Sequence, residues 1–251
     1  MKNINKEKIN GKERVAKVLS RAGLCSRREA ERWISEGKVK INNILIDTPA
    51  TKVSEDDKIL VNNIEVPKPS KTRVWRFHKP KGCLVTNHDP KGRTTIFDIL
   101  PKNLPRVISV GRLDYESEGL ILLTNNGETS RKLELPSTGW LRRYKVRVHG
   151  YVNSNELEKL KNGIKLSNFK TGPIEASLET QKGSNAWILI GLREGKNREV
   201  RRIMDFLGYP VNRLIRISYG PFQLGDLKRA EVSEINKNVL SDQLGILNKY
   251  K

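Results

Sequence analysis

Gly111-Arg-Leu-Asp-Tyr-Glu-Ser-Glu-Gly-Leu-Ile-Leu-Leu123 links two short apolar runs, Val107–Val110 and Leu120–Leu123. Both runs read as strands, and the turn between them puts Asp114 on a connection that core elements can hold rigid. Rigid placement suits a catalytic carboxylate. Ordinary turn chemistry, or an ion pair with Arg112, fits the same residues, so spacing alone leaves the readings open. Working outward, strands are predicted at Val74–Phe77, Cys83–Thr86, Leu141–Val148, Ile174–Thr180, Ala186–Leu192 and Val211–Ser218. Helices are predicted at Glu128–Leu133, Ser154–Lys161 and Asn197–Leu207. The mixture lacks regular βα alternation, so the class is α+β with a mostly antiparallel sheet. Residues 235–251 read as a weakly tethered tail.

Ahead of this lies a second, smaller unit. Val15, Val18 and Leu19 have helical spacing, and Gly23 can close that helix. Ser26-Arg-Arg-Glu29 has the form of a capping box for a second helix, which runs through Trp33 and Ile34 and stops at Gly37. A small β region follows: Val39–Ile41, an Asn42-Asn43 turn, Ile44–Ile46, an acidic turn at Ser54–Asp57, and Ile59–Val61. Pro67-Lys-Pro-Ser70 then makes a short, semi-stiff linker. The expected domains are residues 13–66 and 73–234.

The chain has 48 Lys and Arg against 28 Asp and Glu, a net charge of +20. Both units are basic: 17 basic residues stand against 10 acidic over 1–73, and 28 against 16 over 74–233. Two basic surfaces point to one polyanion, and nucleic acid is the commonest. The two N-terminal helices carry Arg14, Lys17, Arg21, Arg27, Arg28 and Arg32. No apolar run reaches the roughly 18 residues of a spanning helix, and the polar start has no secretory pattern. The two widely spaced cysteines fit a reducing compartment. A cytoplasmic protein with no membrane partner is expected.

Two further segments carry candidate chemistry. In Leu141–Val148, period two places Tyr144, Val146 and Val148 on one face and Arg143, Lys145 and Arg147 on the other. By itself Tyr144 reads as a core aromatic. In Arg193-Glu-Gly-Lys-Asn-Arg-Glu-Val-Arg-Arg-Ile-Met204, Val200, Ile203, Met204 and Leu207 form a core-facing stripe, with Arg198, Arg201, Arg202 and Asp205 on a second. The Gly195 loop gives that helix a free N-terminus suited to a phosphate. A solvated charge cluster is the plain alternative. His78, Cys83 and His88 lack a fourth ligand, so no metal is expected. No Walker loop or Gly-x-Gly-x-x-Gly run suggests a nucleotide or methyl-donor cofactor.

The Gly111–Leu123 segment resembles the catalytic motif of RNA pseudouridine synthases of the RsuA/RluB group. Arg14-Val-Ala-Lys-Val-Leu-Ser-Arg-Ala-Gly-Leu-Cys-Ser-Arg-Arg-Glu-Ala-Glu-Arg32 with Gly37-Lys-Val-Lys-Ile-Asn42 is similar to the small RNA-binding module first seen in ribosomal protein S-four. The likeness spans about residues 13–234 and its motifs occur in family order. One departure is Leu135-Pro-Ser137, where relatives often carry His before Pro-Ser.

The resemblance implies that Asp114 is catalytic, that Tyr144 packs on the target base, that Arg201 pairs with Asp114 and keeps it ionised, and that Leu214 borders the pocket. It implies RNA contacts by the six basic residues of the N-terminal helices and by Lys79, Lys81, Arg112, Lys196, Arg198 and Arg202. Isomerising a uridine in ribosomal RNA needs no cofactor. The form of Arg198–Arg202 is closer to members acting on large-subunit rRNA. A monomer working on rRNA or a ribosome-assembly intermediate is expected. The rivals are a non-catalytic RNA-binding or assembly factor, and an rRNA methyltransferase, which the missing methyl-donor loop disfavours.

Overall fold

A computed structural model of the chain describes residues 12–166 and 170–249. It divides into two compact units, one ending at Thr72 and one beginning at Arg73.

The first unit orders β1 (Glu13–Arg14), α1 (Val15–Arg21), α2 (Arg27–Ser35), β2 (Val39–Ile41), β3 (Ile44–Leu45), β4 (Lys52–Val53), β5 (Ile59–Val61) and β6 (Ile64–Glu65). Val15, Leu19, Ala30, Ile34, Val39 and Ile59 form its core. The Ser26 hydroxyl caps α2 by accepting from the Glu29 N–H at 3.1 Å. The reciprocal half of the expected box is absent, because the Glu29 carboxylate turns to Arg32 and to the Trp33 indole N–H. Asn42-Asn43 and Asn62-Asn63 both hold positive φ, as two-residue hairpin turns require. The second turn carries the same dipeptide as the first and adds β6, an unpredicted strand.

The second unit continues with β7 (Val74–Lys79), α3 (Ile96–Ile99), β8 (Ile108–Val110), β9 (Glu118–Thr124), α4 (Gly127–Glu134), β10 (Arg142–His149), α5 (Ser154–Lys159), β11 (Glu175–Lys182), β12 (Asn185–Leu192), α6 (Glu199–Phe206), β13 (Val211–Tyr219), β14 (Phe222–Gln223), β15 (Val232–Glu234) and α7 (Lys237–Lys249). One sheet runs β11-β12-β10-β13-β9-β7-β15, with β8 on β9 and β14 on β13. Every named pair is antiparallel except β13 with β9. The α+β class is therefore observed.

Central β9 explains the uninterrupted Leu120–Leu123 run. Leu120 and Leu122 enter one core cluster, while Ile121 and Leu123 enter another on the opposite face. A strand buried on both sides has no polar alternation. A third cluster packs β10 and β12 against α5 and α6 through Val146, Val148, Ile188, Leu157 and Met204.

Two expectations fail. Cys83–Thr86 is not a strand: Leu84 makes a lone bridge to Thr95, and Gly82, with φ +83°, turns the chain just before it. The tail is not loose either. Asn236 caps α7 by accepting from the Asn238 N–H at 2.9 Å, and Ile235 and Leu240 are buried with Val74 and Leu122. Leucines at 240 and 244 supply the packing face that a reading by composition passed over.

The parallel junction of β9 and β13 pairs Glu118 with Ile215 and Gly119 with Arg216. A Cβ on Gly119 would lie 2.3 Å from the Arg216 carbonyl oxygen and 2.6 Å from its nitrogen, and φ there is +104°. Only glycine meets both demands. Gly119→Ala should therefore destabilise the protein by about 3 kcal/mol, read from urea unfolding.

Candidate active site

An open cleft of about 1120 Å³ in the second unit is bordered by Asp114, Tyr144 and Leu214, with Arg112 and Arg198 also on its wall. The β9–β13 junction brings the Asp114 turn and Leu214 to this wall, and β10 supplies Tyr144 directly opposite Arg216. Asp114 is half-buried, and among the described residues its carboxylate forms no hydrogen bond or ion pair. Tyr144 is 8% exposed and Leu214 4%, each with one side in the core and the other in the cleft. The alternating burial of β10 follows the period-two expectation.

The turn bearing Asp114 is held through its backbone. The Asp114 carbonyl accepts from the Ser117 N–H at 3.0 Å, and the Tyr115 carbonyl accepts from the Gly82 N–H at 2.9 Å. Gly111 N–H donates to Glu134 at 2.8 Å. Arg201 donates to the Glu116 carbonyl at 3.1 Å and to the Val211 carbonyl at 3.3 Å. Arg201 and Asp114 do not form the direct ion pair that the resemblance implies. Burial and the neighbouring Arg198 charge press the Arg201 pKa down, while Asp114 and Glu116 act against them through space. The coupling of Asp114 to Arg201 is thus electrostatic, and the geometric grip is on the turn.

Lys79 corrects a second expectation. It is fully buried, and its ammonium donates to the carbonyls of Ser117 at 2.9 Å, Pro80 at 3.1 Å and Tyr115 at 3.4 Å. Burial lowers its pKa against the pull of surrounding acidic groups, Asp114 among them. Such a lysine cannot reach an RNA phosphate; it braces the Asp114 turn from within. Its neighbour Lys81 stays exposed and pairs with Glu116 at 2.7 Å.

The other expected RNA contacts divide. Arg14, Arg27 and Arg28 are exposed, and none has an ion pair among the described residues. Lys17 and Arg21 meet Glu13 at 2.7 and 2.6 Å, and Arg32 bonds Glu29. The Glu13 pairs are half-buried, whereas Arg32 is exposed and its pair is weak enough to exchange for a phosphate. In the second unit Arg112 and Arg198 are exposed on the cleft, Arg202 is half-buried, and Lys196 bonds Glu194 at 2.7 Å and the Lys170 carbonyl at 2.6 Å. Among the described residues no three His, Cys, Asp or Glu side chains gather as metal ligands.

Helix α6 begins at Glu199, two residues later than predicted, after Arg198 adopts the left-handed conformation. Glu199 is a functional candidate that the sequence reading passed over. It is 3% exposed and accepts from the Lys196 N–H at 2.9 Å, so the chain itself occupies a donor once offered to phosphate. Burial, then the neighbouring Glu194 carboxyl, push its pKa up to about 7. Glu194 is held low despite burial by the Lys196 ammonium and the Gly172 N–H. Helical periodicity places residue 199 off the core stripe; only the turn-back at the helix start carries it inward. Arg142 and Arg216, also in the cleft wall, were legible by period two from Tyr144 and Leu214.

A carboxyl with a raised pKa keeps its proton in the folded protein while the unfolded chain releases it, so stability falls as pH rises from about 4.5 to about 7. Glu199→Gln removes that loss. Urea unfolding should show the variant more stable than the parent near pH 8, by on the order of 2 kcal/mol, with the gap closing toward acid.

The family model described as RNA pseudouridylate synthase matches residues 73–205, and the S4 domain model matches residues 13–59. A Rickettsia felis protein named an uncharacterised RNA pseudouridine synthase is 45% identical, covering 91% of this chain and 99% of its own. A Bacillus subtilis protein named ribosomal large subunit pseudouridine synthase B is 37% identical, covering 89% and 92%. A crystal structure of a pseudouridylate synthase superposes with TM-score 0.62 at 26% identity, covering 89% of this chain and 95% of that one.

Proposed function

Because the chain belongs to the RNA pseudouridylate synthase family, isomerases that act on RNA, we propose that it converts a uridine of ribosomal RNA, in the large subunit, to pseudouridine, with Asp114 as the catalytic carboxylate. The single observation that carries the assignment is the setting of Asp114. It is, among the described residues, an unpaired, half-buried carboxylate lining the same cleft as Tyr144 and Leu214, on a turn whose carbonyls are pinned by two buried cations. The large-subunit target rests on the Bacillus subtilis relative and on its Yersinia pestis namesake, which is 38% identical.

The reaction breaks the bond from the sugar to the base nitrogen, rotates the uracil, and rejoins it through carbon. No atom or electron is gained or lost, so the proposal includes no cofactor. The uridine must leave its stack to enter the cleft. Tyr144 then offers the flipped base a flat surface, and Leu214 closes its side. Asp114 acts either as nucleophile toward the nucleoside or as base toward a sugar proton. Arg201 sets the position of Asp114 by fixing the turn through the Glu116 carbonyl. Residues 13–66 serve as an RNA-binding domain, with Arg14, Arg27 and Arg28 on phosphates, and residues 73–234 as the catalytic domain. The protein works in the cytoplasm as a monomer on rRNA or an assembly intermediate.

Asp114→Asn should lower tritium release from 5-tritiated large-subunit rRNA at least about a thousandfold while RNA affinity stays within about twofold. Release at the wild-type rate would remove Asp114 from the chemistry. A requirement for an added methyl donor would instead favour the methyltransferase reading.

A further inference from the structure

Two arginines in the cleft wall have no part in the chemistry above. Arg142 on β10 is 9% exposed and Arg216 on β13 is 3% exposed. Both guanidiniums lie against the ring of Tyr219, with their central carbons 4.8 and 5.1 Å from its centre. Arg142 donates to the Tyr219 hydroxyl at 3.1 Å and to the Arg193 carbonyl at 3.0 Å. That hydroxyl donates onward to the Leu133 carbonyl at 2.9 Å, so Tyr219 is itself fixed. Arg216 uses one of its five donors, Nε to the Leu120 carbonyl at 2.7 Å, and its Nη2 is buried with no partner. Neither arginine has an ion pair among the described residues.

This arrangement is unfavourable in the protein alone. Two guanidiniums taken out of water need a counter-charge, and the ring face and neutral carbonyls answer only part of that need. The cleft is where the missing charge can enter. Arg216 stands directly across from Tyr144 in the strand register, next to the ring proposed to carry the base. Gly195 borders Arg142 on the cleft wall, where a Cβ would lie in ordinary contact with the guanidinium carbon at 3.8 Å.

We propose that Arg142 and Arg216 form a cradle for one phosphodiester of the RNA strand next to the flipped uridine, an inference that rests on reading the cleft as the uridine site. A uracil carbonyl would occupy one donor and leave both positive charges unanswered. A phosphodiester supplies a negative charge and two free oxygens matched to the guanidinium fork. The cradle anchors the sugar–phosphate backbone while the base is detached and turned, so the ribose keeps its place until the new bond closes. Arg142 and Arg216 are positioning residues in this account.

The test uses the full chain and an unmodified large-subunit rRNA transcript, with binding measured across a salt series. Arg216→Gln should weaken binding about tenfold at about 0.1 M salt and flatten the plot of log affinity against log salt by about one. Arg216→Lys should keep the slope, because the charge remains. Without RNA, Arg216→Gln should melt no lower than the parent, since an unanswered buried charge has been removed. A slope unchanged by Arg216→Gln overturns the cradle whatever the melting temperature does. If that variant does not fold, Arg142→Gln is measured in its place, with the same two outcomes. Tritium release by the wild type on the same transcript separates the claims. Release with an unaltered slope in the variant defeats the cradle alone, whereas no release defeats the proposed reaction while the slope still reports on the phosphate.

Discussion

The geometry of the candidate active site depends on one close approach, the backbone of Gly119 lying against that of Arg216 where β9 and β13 run parallel. A side chain at position 119 would have to occupy the same space as a peptide group. Because glycine lets the strands close, the turn that precedes β9 and the inward face of β13 meet at one wall. Asp114 comes from the first, and Leu214 and Arg216 from the second. Antiparallel β10 on the other side of β13 then has only one place for Tyr144, opposite Arg216. The cleft is a consequence of strand order and of this one missing methyl group.

Around that frame, positive charge is used internally before any of it reaches a ligand. Lys79 and Arg201 spend their donors on carbonyls of the turn, and so set where Asp114 projects without touching its carboxylate. This division suits a reactive carboxylate. A direct bidentate ion pair would tie up both oxygens, whereas cations bonded to the carbonyls of the turn leave them open. Glu118, buried between Arg213 at 2.8 Å and Arg229 at 3.2 Å, balances charge at the start of β9. Glu194 does the same for the Lys196 ammonium at 2.7 Å on the cleft wall.

Much of this could be read from the residues. The apolar run at 120–123 marked a strand with both faces buried, the alternation in β10 marked which side of Tyr144 faces inward, and Asn42-Asn43 marked a hairpin. Other features escaped for physical reasons. Cys83–Thr86 has strand composition but finds no neighbouring strand to pair with, and composition cannot supply a partner. The α7 helix has a weak apolar stripe, which becomes informative only once Val74 and Leu122 are seen beneath it. Lys79 looked like a surface lysine because its three acceptors are carbonyls 36 and 38 residues away and one next door, which no local pattern displays. Arg201 was assigned to Asp114 by motif, and the motif is blind to whether a guanidinium meets a side chain or the backbone two residues on.

The most direct measurement is a pseudouridine map of large-subunit rRNA from cells lacking this chain, compared with the same cells supplied with the wild-type or the Asp114→Asn protein. The account predicts one uridine that stays unmodified in the deletion, regains its modification with the wild type, and stays unmodified with the variant. A map identical in all three strains, or full restoration by the variant, would contradict it.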